Sequence, residues 1–367
     1  MKAFAITNPG LEEYSAEEVK ELIETKATTE DSVILFEAVE EKLAYLCYRS
    51  QSLIKVCSLL ERIKLNSSED LKKIKTDFTK IIPKGKTFKV KFAKQNCDIS
   101  SQEIEPELGE IIHDQFKGKI KVLMDNPDYI VYIYCFKNEA YIGIDYSGFD
   151  LSKRDYRVFA NPKSFHANIS YMMLKIAEFK ENETLLDPFC LSGETGIEAA
   201  LFAVKKSPHY FSKQKFAFNN FMKFNFDKEN KEIKKSKARI VLSSPAMSDV
   251  KASQKNAKIA GVEKEIEFTR QDVEWIDFKF KKKECVDKIV TQIPCPSSNI
   301  AEQSLNKIYD DFFFQIKYLL NKKGKVVVLG KNLDYFKKIA KNVKLTKEIK
   351  FMNGQDTLEV SVFSKDS

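Results

Sequence analysis

The sequence is poor in the residues that build metal sites and secreted frameworks. Its seven cysteines, Cys47, Cys57, Cys97, Cys135, Cys190, Cys285 and Cys295, form no CxxC pair, and its three histidines, His113, His166 and His209, lie far apart. Structural zinc needs clustered ligands, so no metal site is expected, and most of the cysteines are expected as reduced core residues. There is no apolar run of the ~18 residues that a membrane-spanning helix requires. The opening MKAFAITNPG has no apolar core of the kind a signal peptide carries, so a cytoplasmic protein is expected. Glycine is scarce, at 12 residues, and lysine greatly outnumbers arginine. A compositional bias in coding can produce both, so lysine richness alone does not argue for nucleic-acid binding. The net charge of +8, from 61 basic and 53 acidic residues, permits a polyanionic partner without demanding one.

What is present is a chain of 367 residues, 43% of them hydrophobic, long enough for two or three domains with real cores. It is organised around Thr184 to Ala203, TLLDPFCLSGETGIEAALFA. This stretch predicts a buried strand at Thr184–Leu186, a tight loop over Asp187–Gly193 and a helix over Glu194–Val204. In the helix, Ile197, Ala200, Leu201 and Val204 follow helical spacing. Strand, loop and helix in this order start a doubly wound sheet, and the loop with the helix N-terminus forms an anion- and ligand-binding edge. A strand-loop-helix that only packs gives the same pattern.

Upstream, alternating strand and helix signals over the first 60 or so residues predict a small α+β unit. A second unit follows, with helices over Ser68–Ile82 and Glu105–Phe116, a strand over Thr87–Phe92 and a strand pair over Tyr129–Phe136 and Glu139–Tyr146. Downstream, strands are expected at Ala238–Ser243, Ile266–Arg270, Lys288–Thr291, Val326–Leu329 and Leu358–Phe363, with a helix over Asp249–Ala260. Between them, Lys205 to Arg239 holds eleven basic against three acidic residues, interleaved with Tyr210, Phe211, Phe216, Phe218, Phe221, Phe224 and Phe226. Two readings fit this insertion: a basic, base-stacking surface, or a local phenylalanine core under a solvated lysine face.

Asp187-Pro188-Phe189-Cys190, then Ser192-Gly193, then Ile197-Glu198-Ala199-Ala200, resembles the first motif of RNA and DNA amino-methyltransferases, DPFCGSGT followed by IEAA. The opening FAITNPGLEEYSAEEVKEL and the stretch YIGIDYSGFDLSKRDYRVF are similar to members that carry a ferredoxin-like domain and a THUMP domain. SQKNAKIAGV and FMNGQDTLEVSVFS also resemble segments of that family. The resemblance implies an α/β protein: a C-terminal doubly wound, Rossmann-like methyltransferase sheet at 158–367, preceded by α+β ferredoxin-like (1–60) and THUMP (61–150) domains. It implies S-adenosylmethionine as cofactor, structured ribosomal or transfer RNA as partner, and methylation of an exocyclic amine such as guanine N2. Carried onto matching positions, it implies cofactor contacts from Asp187, Pro188, Phe189, Ser192, Gly193, Ser244 and Asp272. Gln292, Pro294 and Cys295 would fall where relatives clamp and stack the target base.

The motifs also depart from the family. Leu191 replaces the first glycine of the loop, and Glu194 its threonine. Ser244-Pro245-Ala246 stands where Asp-x-Asp is usual, and Gln292-Ile293-Pro294-Cys295 where Asn (or Asp)-Pro-Pro-Tyr is usual. A leucine in the loop is expected to force rearrangement. Glu194 is expected to compete with the cofactor carboxylate. Two functions therefore stay open: an RNA methyltransferase, and a catalytically inactive RNA-binding or scaffold protein of the same fold. A DNA adenine methyltransferase is a third, which the THUMP resemblance disfavours.

Overall fold

The computed structural model describes residues 1–296, 302–354 and 356–365. Packing divides the chain into two compact units. The first comprises Met1–Thr7, Ser15–Leu151 and Ser212–Phe226, and the second Asn8–Tyr14, Ser152–Phe211 and Asp227–Ser367.

The first unit begins β1 (Lys2–Ile6), α1 (Glu12–Ile23), β2 (Ala27–Glu30), β3 (Val33–Glu37), α2 (Glu40–Arg49) and β4 (Lys55–Ser58). The strands form an antiparallel sheet in the order β2-β3-β1-β4, the expected ferredoxin-like arrangement. In β1, Ala3 and Ala5 join one core cluster while Phe4 and Ile6 join another, the period-two signature of a strand buried on both faces. A second sheet holds β5 (Glu61–Lys64), β6 (Thr87–Gln95), β7 (Lys121–Val122), β8 (Tyr129–Phe136) and β9 (Glu139–Ile144), in the order β5-β9-β8-β6-β7. Helix α3 (Ser101–Gln115) packs on β6.

The helix expected over 68–82 is instead two 3-10 turns, Ser68–Lys73 and Phe78–Lys80. The Asp70 carboxylate accepts from the backbone N–H groups of Asn66 and Ser67, and Asp77 accepts from that of Thr79. Such local side-chain bonds compete with a continuous helix. Leu71, Phe78 and Ile82 are buried all the same.

The phenylalanines of the basic insertion are core. Phe216 and Phe218 are buried with their rings stacked 4.9 Å apart, and Phe221, Phe224 and Phe226 pack against the same cluster. Phe216 and Phe218 are therefore not available to stack on bases, Phe221, Phe224 and Phe226 are partly covered, and Phe211 is exposed.

The second unit contains α4 (Ala167–Ile176), β10 (Thr184–Asp187), α5 (Glu194–Ala203), the short α6 (Phe226–Asn230, whose first residue belongs to the other unit), β11 (Arg239–Ser244), α7 (Met247–Ala260), β12 (Ile266–Arg270) and β13 (Val286–Gln292). It continues through α8 (Glu302–Leu319), β14 (Leu320–Gly330), α9 (Asp334–Lys338), β15 (Val343–Asn353) and β16 (Asp356–Lys365). Gln355, inside the expected closing hairpin, lies outside the described residues.

The strand order is β12-β11-β10-β13-β14-β16-β15, parallel except that β16 runs antiparallel to both neighbours. Adjacent residues of one strand enter different cores: Leu185 and Leu242 belong to one cluster, Leu186 and Val241 to the other. A sheet covered on both faces explains the near-continuous apolar runs in the sequence. Its order reverses at β10, so the crevice at the carboxyl ends of β10 and β13 is the expected ligand site. Among the described residues, no helix is long and apolar enough to cross a membrane, and no group of His, Cys, Asp and Glu could hold a metal ion.

Candidate active site

The loop 188–193 leaves β10 and enters α5 through two left-handed residues. Gly193, the N-cap of α5, has φ +88°, and an added Cβ would lie 2.8 Å from Cβ of Ser253, so glycine is required there. Leu191 has φ +46°. The glycine-like turn is therefore kept with a leucine in it, at a strain of roughly 1–2 kcal/mol, rather than rearranged. The Gly193 N–H closes the turn on the Cys190 carbonyl at 2.7 Å, and the Cys190 N–H donates to the Ser243 carbonyl of β11 at 3.0 Å.

Asp187 ends β10 and is buried. It accepts the Thr291 hydroxyl of β13 at 2.6 Å and the Phe189 N–H at 3.2 Å. Burial pushes its carboxyl up to about 7, against the lowering effect of the Thr291 bond.

Glu194 is not a free anion at the mouth of the loop. Its Oε1 accepts from Arg157 Nε at 2.6 Å, from the Ser164 hydroxyl at 2.9 Å and from the Ser192 hydroxyl at 2.7 Å. Arg157 thus neutralises, within the fold, the charge that the sequence alone set against a cofactor carboxylate. The loop is held from a second side by Asn256 of α7. Its amide donates to the carbonyls of Ser192 at 3.0 Å and Phe159 at 3.1 Å, and its oxygen accepts the Phe159 N–H at 3.0 Å. This accounts for the asparagine in SQKNAKIAGV. Glu198 of α5 is paired with Arg154, so both acidic residues of the helix fasten the segment that precedes α4.

One small cavity brings together Asp187, Phe189 and Gln292 with Ser164, Leu191 and Glu194. Gln292, at the end of β13, donates its amide to the Lys163 carbonyl at 2.6 Å, which leaves its Oε1 as the acceptor. The Pro294 carbonyl accepts the Tyr309 hydroxyl at 2.5 Å. Cys295 is half-buried against β14, where a Cβ on Gly330 would lie 2.8 Å from its sulfur. Ser244 ends β11 and Asp272 follows β12, joined through the Gln271 N–H, which donates to the Ser244 carbonyl at 3.1 Å. Both sit at the carboxyl edge of the sheet, although neither lines the cavity, and Asp272 is exposed. Pro188 lies between Asp187 and Phe189 in the loop.

Sequence reasoning missed Arg157, Asn161, Ser164, Thr291 and Tyr309. Arg157 lies in the quoted stretch YIGIDYSGFDLSKRDYRVF, where nothing marked it as a site residue; the other four lie in no quoted motif, and only folding brings them to the site. The residues present fit S-adenosylmethionine. The left-handed turn is preserved, the Glu194 charge is offset, and the loop stands at the switch point of the sheet.

Comparison with known proteins gives the same assignment. The model of the RMKL-like methyltransferase domain matches residues 154–360, and that of the THUMP domain matches residues 70–145. A tRNA (guanine(6)-N2)-methyltransferase from Methanocaldococcus jannaschii is 28% identical over 365 residues, covering 93% of this chain and 94% of its own. Its counterpart from Archaeoglobus fulgidus is 25% identical over 342 residues, covering 90% and 83%. A putative methyltransferase solved with SAH superposes with a TM-score of 0.84 at 19% identity, covering 100% of this chain and 98% of that one. TrmN from Thermus thermophilus superposes with a TM-score of 0.73 at 20% identity, covering 100% and 99%. At these identities the superpositions show the fold. The match to the methyltransferase domain spans more than half of the 367 residues, and with the THUMP match and the strand order it makes this chain a member of the RMKL-like methyltransferase family with a THUMP domain.

Proposed function

We propose that this protein is an S-adenosylmethionine-dependent RNA methyltransferase that methylates an exocyclic amine, guanine N2 of a transfer RNA, in the cytoplasm. The observation that carries the reading is the gathering of Asp187, Phe189, Cys190 and Leu191 with Gln292 around one cavity at the switch point of the sheet. Near-full-length likeness to proteins named tRNA (guanine(6)-N2)-methyltransferase supports the substrate class. A division into a ferredoxin-like part (1–60), a THUMP part (61–150) and a methyltransferase part (158–367) is the arrangement we assign to this activity.

When bound, S-adenosylmethionine supplies an electrophilic methyl group on a sulfonium. Asp187, Pro188, Phe189, Ser192, Gly193, Ser244 and Asp272 are the residues we assign to holding it. Gln292 is fixed by its bond to the Lys163 carbonyl, so its Oε1 accepts one N–H of the target amine and aims the lone pair. The Pro294 carbonyl has one lone pair taken by Tyr309 and a second left for the other N–H. Cys295 fills the position of the stacking aromatic without supplying a ring. Positioning supplies most of the rate in such a site.

The deciding experiment is incubation of the full-length protein with methyl-labelled S-adenosylmethionine and transcribed transfer RNA, followed by nucleoside analysis. Label in N2-methylguanosine, reduced at least tenfold by Gln292→Ala, is the expected result. Cofactor binding without label in any RNA would sink the reading.

A further inference from the structure

In doubly wound sheets an acidic residue following the first βα unit accepts the ribose hydroxyls of the cofactor, and Ser244, which ends the second strand of this sheet, offers no carboxylate. The structure supplies a carboxylate from elsewhere. Asp249 lies in the first turn of α7, five residues on, and its Oδ2 accepts the Ser244 hydroxyl at 3.0 Å. Its Oδ1 accepts the side-chain amide of Asn161 at 3.1 Å. The Asn161 backbone N–H in turn donates to the Ser192 hydroxyl at 3.1 Å. Asp249 is thus tied at one oxygen to the end of β11 and at the other, through a single residue, to the loop after β10.

We infer that Asp249 is the ribose-binding carboxylate of this protein, displaced from the strand end to the following helix and anchored to the strand by Ser244. The inference rests on the reading of the site as one for S-adenosylmethionine. Each carboxylate oxygen offers more than one acceptor site and spends one on the protein, so both can still accept a hydroxyl from a vicinal diol. The side chain is only half-buried, beside the exposed turn of Pro245, Ala246, Met247 and Ser248. Ser244 is held so that it presents Asp249. Its oxygen accepts the Ala246 N–H at 3.2 Å while its hydroxyl donates to Asp249.

The inference is tested by calorimetric titration of the full-length protein with S-adenosylhomocysteine and with its 2′-deoxyribose analogue. The wild type is expected to bind the first at least tenfold more tightly, the equivalent of about 1.4 kcal/mol. Asp249→Asn, which keeps the shape of the side chain, is expected to weaken S-adenosylhomocysteine at least tenfold and to abolish the preference between the two ligands. Adding Ser244→Asp to Asp249→Asn returns a carboxylate to the strand end and is expected to restore both affinity and preference. If the wild type binds S-adenosylhomocysteine and Asp249→Asn binds it equally well, the assignment is overturned while the cofactor reading stands. If Asp249→Asn loses affinity but keeps the preference, Asp249 is structural and the assignment is also overturned. If the wild type binds neither ligand, the cofactor reading falls and this inference falls with it.

Discussion

The guanidinium of Arg154 grips the carboxylate of Glu198 at two points, Nε to Oε1 at 3.0 Å and Nη2 to Oε2 at 3.2 Å, with neither side chain exposed. The Tyr156 hydroxyl donates to the same Oε1 at 2.9 Å. The glutamate of the IEAA segment therefore serves as an anchor for the 154–157 segment. Glu198→Ala would remove the buried carboxylate that Arg154 and Tyr156 both bond, at a cost of about 3–5 kcal/mol. Urea denaturation is expected to show that loss, with a smaller one in the paired Arg154→Leu, Glu198→Leu variant.

Asp187 gives the site a pH signature. Its carboxyl is raised by burial from 3.8 to about 7 in the folded protein. Between these values the folded state holds a proton that the unfolded state has released. The stabilisation is then full below about pH 4 and is lost as the pH rises towards 7, by up to roughly 1.4 kcal/mol per pH unit. Asp187→Asn keeps an oxygen for Thr291 and Phe189 but cannot titrate. Denaturation midpoints measured between pH 5 and 7.5 are expected to fall less steeply in this variant than in the wild type, and parallel slopes would refute the assignment.

Leu191 holds a left-handed conformation that glycine adopts freely. Leu191→Gly relieves roughly 1–2 kcal/mol of strain but frees the unfolded chain and removes some apolar contact. The expected net change is within about 1 kcal/mol, measured by thermal unfolding. Loss of several kcal/mol would mean that the leucine side chain holds the loop.

Phe218 is fully buried in the core of the first unit. Phe218→Ala is expected to cost about 3–5 kcal/mol, whereas the RNA affinity of the folded fraction, measured by filter binding, stays within twofold. A selective loss of RNA affinity at unchanged stability would revive the stacking role of the insertion.

The doubly wound sheet was legible in the sequence because buried parallel strands are short apolar runs and Asp187–Ala203 carries its turn and helix in one stretch. The positions of Asp187 and Gln292 at strand ends, of Asp272 just beyond one and of Gly193 at the start of the helix follow from that pattern and from the family resemblance. The 68–82 segment misled because apolar spacing does not register Asp70 and Asp77 capping their own backbone. Composition left the phenylalanines of the insertion open, since aromatic rings beside lysines suit a base or a core equally.

Sequence by itself determined the order of the elements, the location of the ligand-binding edge and the erosion of its motifs. Only the tertiary structure decided what the erosion amounts to. The Glu194 charge is met by Arg157, thirty-seven residues away, and the carboxylate beside Ser244 comes from Asp249. The physical reason is that a motif fixes residues along one strand and its turn, whereas the charge balance of a buried site is set by whatever neighbouring segments fold against it.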